Sequence, residues 1–513
     1  MKRNMIPAAF MAATSVASLF CGCNGGKKSA RGAGERPNVI ILYGDDVGYG
    51  DLSCNGEPTV CTPNVERLAS EGVRFTNAHT ASATSTPARY GLLTGQYPWR
   101  KEGTGIAPGD AGMIISPEQF TIADMFRDAG YATAAVGKWH LGLGETSKQD
   151  WNGEITPGLC DIGFDYSFIM AATGDRVPCV FIENQRVVGL DPSDPIQVSY
   201  TTPFEGEPTG KDNPELLKMT PSNGHNQAVI NGIPRIGYMK GGKSALWKDD
   251  EISDRITEKA LDFIKENKDR PFFLYFGTND IHVPRIPNEK FAGKSPMGPR
   301  GDAILSFDWS VGQVMDLLDS LGIADNTIFI LSSDNGPVVD DGYNDFAVEK
   351  LGEHRPWGDF RGGKYSIFEA GTRVPMVVRW PSHVKAGEVS DALVSHIDIF
   401  RSLSEVCGGV IPEGAAPDSK DNLSTLLGGE GDRDFVVEHN LTGTLSITQG
   451  DWKYIEPSDK FPYLEHENIE TGNSTEEQLY NVAEDRNERY NLVKEHPEKA
   501  AQLRTMLDSL RRL

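Results

Sequence analysis

The chain has few cysteines, and none lies in a motif that binds metal or carries redox chemistry. Its 513 residues include seven cysteines, and no two of them form a Cys-x-x-Cys pair. Five lie beyond the N-terminal segment: Cys54, Cys61, Cys160, Cys179 and Cys407. In an oxidising compartment Cys54 could pair with Cys61. A second bridge could join Cys160 to Cys179, whereas five buried thiols are the alternative.

Positive charge is scarce relative to negative charge. The chain carries 50 lysine and arginine residues against 73 aspartate and glutamate residues, a net charge of −23. This excess of acid argues against nucleic acid as a partner. An anionic substrate would need a local cluster of Lys, Arg and His that works against the field of the whole protein. The composition is that of a globular protein, and the length allows two to four domains.

The apolar segment at the N-terminus is too short and too weak to span a membrane. Residues 5–20 are apolar and small, and they follow a positively charged start. The motif Phe20-Cys21-Gly22-Cys23 is similar to a bacterial lipoprotein cleavage site. We therefore predict a signal peptide over residues 1–22, lipidation of Cys23 and a flexible tether over residues 23–36. The protein would then be a periplasmic or outer-membrane lipoprotein of the bacterial cell envelope; a simple secretory signal is the alternative.

Two continuous apolar runs read as buried parallel strands, and each ends in oxygen-bearing side chains. Residues 38–43 are followed by Asp45-Asp46, and residues 327–331 lead to Asp334-Asn335. Ligands of open α/β sheets gather at the carboxyl ends of the strands. Four oxygen donors without Cys or His suit Ca²⁺, or Mg²⁺ as second choice, rather than zinc. A solvated turn is the alternative for either motif taken alone.

A hydroxyl-rich stretch, residues 82–95, combines small polar side chains with a proline and an arginine. A nucleophile at Ser85 would lie at the entrance to a helix, where free N–H groups and the helix dipole favour an anion. Arg89, four residues later, would face the same side. A simple Ser/Thr helix cap is the commoner alternative.

Further basic residues follow other predicted strands. Residues 137–142 read G-K-W-H-L-G, and alternation along an extended segment would place Lys138 and His140 on one face. His282 lies in a loop after a buried strand, a position where site residues concentrate. Two glycines before Lys364 let the backbone approach closely and present its side chain. These residues supply the cationic donors and the base that an anionic substrate needs.

The motif S-T-P-A-R followed by Y-G-L-L-T-G resembles the signature of the type I sulfatase family in its serine-type form. The strand-end acidic motifs, G-K-W-H-L-G, the histidine before Pro284 and E-A-G-T-R-V-P resemble other family motifs, with Ala370 where glycine is common. The resemblance implies an α/β, alkaline-phosphatase-like sandwich with a large, mostly parallel central sheet. It also implies a small C-terminal antiparallel-sheet subdomain with a terminal helix. We place the catalytic domain at residues 37–430 and the subdomain at residues 431–513.

The resemblance also implies a reaction. A maturation enzyme oxidises Ser85 to formylglycine (3-oxoalanine), and the hydrate of this aldehyde attacks the sulfur of a sulfate ester. Ser85 is then also a metal ligand, beside Asp45, Asp46, Asp334 and Asn335. The implied catalytic residues are Ser85, Arg89, Lys138, His140, His282 and Lys364.

Residues 171–178 and 223–226 resemble the bacterial sulfatases that act on the 6-O-sulfate of galactose or N-acetylgalactosamine. The implied substrate is a sulfated carbohydrate such as a glycosaminoglycan or a mucin O-glycan. Asp175, Arg176 and His225 would contact the sugar hydroxyls, including an axial O4. The alternative is a structural Asp175–Arg176 ion pair and a surface histidine.

Two other functions compete with this one. A phosphate or phosphonate ester hydrolase of the alkaline phosphatase superfamily would use an unmodified nucleophile, usually with two zinc ions and His-rich ligand sets, which the chain lacks. A catalytically silent glycan-binding protein of the envelope would have lost some motif residues, yet every expected position is filled.

Overall fold

The structure, a computed structural model, describes residues 36–56 and 59–512. The predicted signal peptide, the lipidation site Cys23 and nearly all of the tether lie outside the described residues. From Arg36 onward the described chain forms one compact unit. None of the helices in that part combines the length and the apolar character that crossing a membrane requires. The division after residue 430 stays a prediction.

The described residues form short strands throughout and α-helices between them. The strands are β1 (Asn38–Gly44), β2 (Val73–Phe75), β3 (Ala78–His79), β4 (Ala132–Lys138), β5 (Tyr166–Met170), β6 (Phe181–Glu183), β7 (Arg186–Val187), β8 (Gln197–Ser199), β9 (Val229–Ile230), β10 (Ile233–Pro234), β11 (Tyr238–Lys240), β12 (Phe272–Gly277), β13 (Thr327–Ser333), β14 (Met376–Arg379), β15 (Glu388–Ser390), β16 (Val394–Ser395), β17 (Phe435–His439), β18 (Leu445–Gln449), β19 (Trp452–Ile455), β20 (Tyr463–Leu464), β21 (Ile469–Glu470) and β22 (Gln478–Asn481). The α-helices are α1 (Pro63–Glu71), α2 (Ser85–Thr94), α3 (Ile122–Asp128), α4 (Ile252–Asn267), α5 (Pro299–Leu321), α6 (Glu369–Thr372), α7 (Ile399–Cys407), α8 (Leu423–Leu426) and α9 (Pro497–Arg512).

The main sheet has ten strands in the order β15-β2-β14-β13-β1-β12-β4-β5-β6-β7. Its middle, from β13 to β5, is parallel. Strand β14 pairs antiparallel with both β13 and β2 on one side, and β6 and β7 add antiparallel pairs on the other. The predicted large and mostly parallel sheet is confirmed, with antiparallel strands toward its edges.

Strand β1 is apolar throughout because both faces of the sheet are covered. Val39, Ile41 and Tyr43 belong to a core that includes α2, α3 and α7. Ile40 and Leu42 point to the opposite core, which includes α1, α4 and α5. Alternate side chains of one strand thus enter two cores, which is why the run shows no polar alternation.

The carboxyl ends of the central strands meet at one edge of the sheet. Gly44 of β1 lies beside Ser333 of β13, and Gly277 of β12 lies beside Gly137 of β4. A Cβ atom added to Gly137 would lie 1.9 Å from the Gly277 carbonyl oxygen, so the strand ends can approach only with glycine there. This register brings together the residues that follow all four strands.

A four-stranded antiparallel sheet, β17-β18-β19-β22, and helix α9 form the C-terminal part. Leu503 and Leu507 of α9 are buried against it, as the sequence predicts. Buried charges join this sheet to the catalytic part: Lys453 donates to Glu369 over 2.9 Å. The predicted C-terminal antiparallel sheet and terminal helix are confirmed.

The cysteines form no disulfide among the residues that the structure describes. All five thiols are free, and only Cys179 and Cys407 are buried. The two disulfide bridges considered from the sequence are therefore absent. The alternative of five buried thiols is confirmed in that the thiols are free, but it is wrong in that three of them are not buried.

Candidate active site

Helix α2 places Ser85 at its first turn, as the sequence predicts. Thr84 precedes it in an extended conformation and makes no side-chain cap, and every residue of the helix is buried. The Ser85 hydroxyl donates to Asp334 Oδ2 over 2.5 Å. Arg89 Nε donates to Ser85 Oγ over 3.1 Å and Arg89 Nη2 to Asp334 Oδ2 over 2.8 Å. The Ser85 hydroxyl therefore faces a strand end and not the helix terminus, unlike a capping side chain.

The four candidate metal ligands lie together at the strand ends, and all are fully buried. Asn335 Nδ2 donates to Asp46 Oδ1 over 2.8 Å. Asp45 Oδ2 and Asn335 Oδ1 are buried without a hydrogen-bond partner. Carboxylate and amide oxygens in this state are what a hard divalent cation requires, so Asp45, Asp46, Asp334 and Asn335 fit such an ion.

Two buried lysines contact these carboxylates. Lys138 Nζ donates to Asp45 Oδ1 over 2.6 Å and lies 3.5 Å from Asp334. Lys364 Nζ lies 2.8 Å from Asp46 Oδ2. Burial alone would lower the pKa of Lys364, but the charges of Asp341 and Asp46 outweigh it and raise that pKa well above its ordinary value. Lys364 is therefore a stable ammonium group.

Two histidines, His282 and His140, line the cleft above Ser85. Both are neutral imidazoles at pH 7. Burial, with help from the charge of Lys364, lowers the pKa of His282 to about 4. Burial, with help from Lys138, also lowers the pKa of His140 well below its ordinary value. His140 Nε2 lies 2.9 Å from the Ala107 carbonyl oxygen, and its Nδ1 is buried without a partner. A carbonyl only accepts, so Nε2 carries the proton and Nδ1 keeps a free lone pair.

His140 does not continue the strand of Lys138, so the predicted alternation along one extended segment is wrong. Strand β4 ends at Lys138, and His140 has a left-handed backbone with φ of 61°. The side chains nevertheless both reach the site, because the turn after the strand and not the strand itself directs His140 into the cleft.

The cleft over Ser85 has a volume of about 360 Å³, part of it open to solvent. Its walls are mostly polar, with two isoleucines among them. They are formed by Ser85, Ile106, His140, Asp175, Arg176, His225, Ile236, His282, Asp341, Lys364 and Tyr365. Of the cations predicted from the sequence, Arg89 and Lys138 lie beneath this surface against the carboxylates.

The three predicted sugar contacts form one connected group in the cleft wall. Arg176 Nη1 donates to Asp175 Oδ1 over 2.9 Å, and His225 Nε2 lies 2.9 Å from Asp175 Oδ2. His225 is 13 % exposed, so it is no surface residue. A Cβ atom on Gly342, whose φ is +105°, would lie 2.0 Å from the His225 ring. The Asp175–Arg176 ion pair, which was the structural alternative, is present, and it lies in the wall of the cleft.

Four cleft residues were missed from the sequence: Ile106, Ile236, Asp341 and Tyr365. Asp341 follows the Asp334 motif by seven residues in a short loop, and the adjacent acidic pair Asp340-Asp341 before Gly342 was its available signal. Tyr365 directly follows Lys364. Neither isoleucine stands in a pattern that distinguishes a cleft wall from an ordinary core position.

The assembled site is that of a hydrolase for anionic esters, and comparison with known proteins defines its family. The family profile described as Sulfatase matches residues 37–410. The chain belongs to the sulfatase family and is a sulfuric ester hydrolase. Membership of this family favours sulfate ester hydrolysis over phosphate ester hydrolysis.

Two sulfatases align with most of this chain. An N-acetylgalactosamine-6-O-sulfatase of Bacteroides thetaiotaomicron is 55% identical over 497 residues, which cover 96% of this chain and 97% of the relative. Human steryl-sulfatase is 32% identical over 429 residues, covering 78% of this chain and 71% of its own.

A solved structure shares the fold along most of the chain. It comes from work on the metabolism of glycosaminoglycans by B. thetaiotaomicron, is 55% identical in sequence and superposes with a TM-score of 0.92. The alignment covers 93% of this chain and all of the other. The alkaline-phosphatase-like sulfatase fold predicted from the sequence is thereby confirmed.

Proposed function

We propose that the protein removes the 6-O-sulfate of N-acetylgalactosamine or galactose in glycans, with a formylglycine hydrate made from Ser85 as nucleophile. The observation that carries this proposal is the position of the Ser85 hydroxyl. It lies at the start of a buried helix, 2.5 Å from Asp334 and 3.1 Å from Arg89.

The attacking group is one hydroxyl of the hydrated aldehyde. Arg89 holds the oxygen that corresponds to Ser85 Oγ. This oxygen forms the new bond to sulfur and gives up its proton to Asp334, which accepts the hydrogen bond of the Ser85 hydroxyl. Lys138 and Lys364 neutralise the sulfuryl oxygens as charge develops on them. An unmodified serine could form the sulfated intermediate but could not break it down, because it lacks the second hydroxyl. The function therefore requires a maturation enzyme as a partner.

The leaving group is the sugar oxygen. As the bond between sulfur and this oxygen breaks, the electron pair goes to oxygen, which takes up a proton from His282 with assistance from Lys364. His282 Nδ1 lies 2.6 Å from the Val283 carbonyl oxygen, which leaves Nε2 toward the cleft. Because a carbonyl only accepts, Nδ1 carries the proton of the neutral ring, and Nε2 can donate only after the ring takes up a second proton from solvent. The negative charge of a bound sulfate favours this protonated imidazole.

Sulfate is released when the remaining hydroxyl loses its proton. His140 Nδ1, which has a free lone pair, accepts that proton. The carbon–oxygen bond to sulfate then breaks, sulfate leaves with the electron pair, and the aldehyde re-forms for hydration by water. Both histidines thus have separate tasks, one as acid and one as base.

We assign Ca²⁺, with Mg²⁺ as second choice, to Asp45, Asp46, Asp334 and Asn335, with the modified Ser85 completing the ligand set. When bound, the ion would polarise the nucleophilic oxygen and offset the sulfate charge. The unpartnered oxygens of Asp45 and Asn335 support this assignment.

The choice of sugar rests on the group formed by Asp175, Arg176 and His225. Two acceptors and two donors converge there on one side of the cleft, an arrangement that can read sugar hydroxyl groups. The N-acetylgalactosamine-6-O-sulfatase that is 55% identical along nearly its whole length supports the same sugar. We further propose that the chain is exported to the bacterial envelope and anchored there through a lipid on Cys23.

Sulfate release from defined sugars tests this function. Matured enzyme is assayed by ion chromatography with the 6-sulfates of N-acetylgalactosamine, galactose and N-acetylglucosamine, and with the 4-sulfate of N-acetylgalactosamine. We expect kcat/KM for the galacto-configured 6-sulfates to exceed the others by about 100-fold. A preference for the 4-sulfate, or no release from any of the four, would contradict the proposal.

A further inference from the structure

We infer that Asp341 is a positioning residue, which holds Lys364 and the facing His282 nitrogen in place for protonation of the leaving oxygen. The inference rests on the proposed function of this site. Lys364 Nζ donates to Asp341 Oδ2 over 2.8 Å, and Asp341 Oδ2 lies 3.9 Å from His282 Nε2. One carboxylate oxygen therefore lies within reach of both groups assigned to the leaving group.

Asp341 differs from the other carboxylate on Lys364. Asp46 also accepts from Lys364 over 2.8 Å, but Asp46 is one of the four oxygen donors assigned to the cation. A carboxylate that shares its charge with a divalent ion is a weaker partner for an ammonium group. Asp341 is not in the donor set, so it remains the full counter-charge for Lys364 and draws its Nζ toward the cleft.

The second oxygen of Asp341 is fixed by Tyr365. The Tyr365 hydroxyl donates to Asp341 Oδ1 over 2.8 Å. The backbone that carries this ring is also fixed, because the Tyr365 N–H donates to the Ala83 carbonyl oxygen over 2.8 Å. Both oxygens of the carboxylate are thus committed, one to the hydroxyl and one to the ammonium group, which fixes its plane.

The loop that carries Asp341 is itself held rigidly. Arg285, whose side chain is fully buried, donates to the Val339 carbonyl oxygen over 3.0 Å and to Asp345 over 2.8 Å. Ser222 donates to Asp340 over 2.6 Å. The neighbouring Gly342 is packed against His225. The loop therefore borders the Asp175–Arg176–His225 group on one side. On the other side it borders Lys364 and His282, which are assigned to protonation of the leaving oxygen.

The test compares Asp341→Asn with Asp340→Asn. The control removes the same charge from the adjacent position, does not touch Lys364, and keeps a side-chain oxygen that can accept from Ser222 and from the Gly342 N–H. The assay uses whichever carbohydrate sulfate the wild type hydrolyses fastest, so a wrong sugar assignment does not affect the comparison. We expect D341N to lower kcat about 100-fold with KM changed less than about threefold. We expect D340N to retain kcat within about threefold.

Two further variants separate positioning from a structural role. Tyr365→Phe removes only the hydroxyl that fixes the carboxylate, and we expect a fall in kcat of about fivefold. Asp341→Ala leaves a space in which added formate can stand in for the carboxylate, and we expect formate to raise kcat in a saturable way. A D341N kcat within threefold of wild type would overturn the inference. So would a change confined to KM, which would indicate substrate contact, or a loss of kcat with a lowered melting temperature and no formate response in D341A.

Discussion

The Ser85 hydroxyl donates a 2.5 Å hydrogen bond to Asp334, a residue 249 positions further along the chain. The bond joins the first turn of a buried helix to the carboxyl end of a central strand. Arg89 contacts both residues from the next helical turn. The proposed nucleophile is therefore placed against the oxygen donors of the proposed cation site by a helix and a strand of the fold, and not by a flexible loop.

Replacement of Ser85 by alanine should abolish sulfate release and leave the fold intact. The change removes the hydroxyl that becomes the aldehyde and two hydrogen bonds of the buried cluster, one to Asp334 and one from Arg89, so we expect the free energy of unfolding to fall by about 1–3 kcal/mol. Sulfate release and thermal melting provide the two readouts. Ser82→Ala, in the same stretch but bonded only to Thr84, is the control and should keep most activity. Turnover by S85A would contradict the role of Ser85.

Removal of divalent ions should inactivate the enzyme and lower its melting temperature. A ligand present at 100 times its dissociation constant stabilises the folded state by about 2.7 kcal/mol. We expect Ca²⁺ to raise the melting temperature of chelator-treated S85A, a variant in which activity plays no part, and Zn²⁺ to do so less. Asp45→Asn should weaken the response to Ca²⁺. A melting temperature that does not respond to Ca²⁺, or that responds best to Zn²⁺, would count against the oxygen-ligand site.

His225→Ala should reduce discrimination between sugars more than it reduces catalysis. The side chain lines the cleft, and its two ring nitrogens contact Asn223 and Asp175 rather than Ser85 or the proposed cation ligands. We expect the preference for galacto- over gluco-configured 6-sulfates to fall about tenfold, as measured by the ratio of kcat/KM values. Equal losses on both sugars would indicate that the Asp175–Arg176–His225 group is structural.

Asp51 should make part of the stability depend on pH. Burial alone would raise the pKa of Asp51, but Arg300 and His354 outweigh it and hold that pKa well below its ordinary value of 3.8. A carboxyl with a lowered pKa contributes stability that is complete above the unfolded pKa and is lost as the pH falls.

The difference in unfolding free energy between the wild type and Asp51→Asn should therefore be constant above about pH 5 and shrink below about pH 4. Denaturant titrations at several pH values measure it. A difference that stays the same down to the lowest accessible pH would show that the charge of Asp51 is not what stabilises the Arg300–Asp51 pair, in which Arg300 Nη1 donates over 2.7 Å.

Much of the fold and the centre of the site follow from local sequence patterns. The strand before Asp45 is apolar because both faces are buried, and the helix at Ser85 begins where the hydroxyl-rich stretch predicts. The hydrogen bonds that define the site could not be predicted from the sequence, because they join segments that are distant along the chain. Asp341 reaches Lys364 only because Arg285 and Ser222 hold its loop. His140 turns into the cleft through a left-handed residue that alternation does not describe.

The central claim is that the working nucleophile is an oxidised form of Ser85. Mass spectrometry of the peptide that contains Ser85, from protein produced in a host with a serine-type maturation enzyme, tests it directly. The account predicts a peptide lighter by two hydrogen atoms, together with its hydrate, and an aldehyde that reacts with hydrazides. An active enzyme whose Ser85 peptide has only the encoded mass would contradict it.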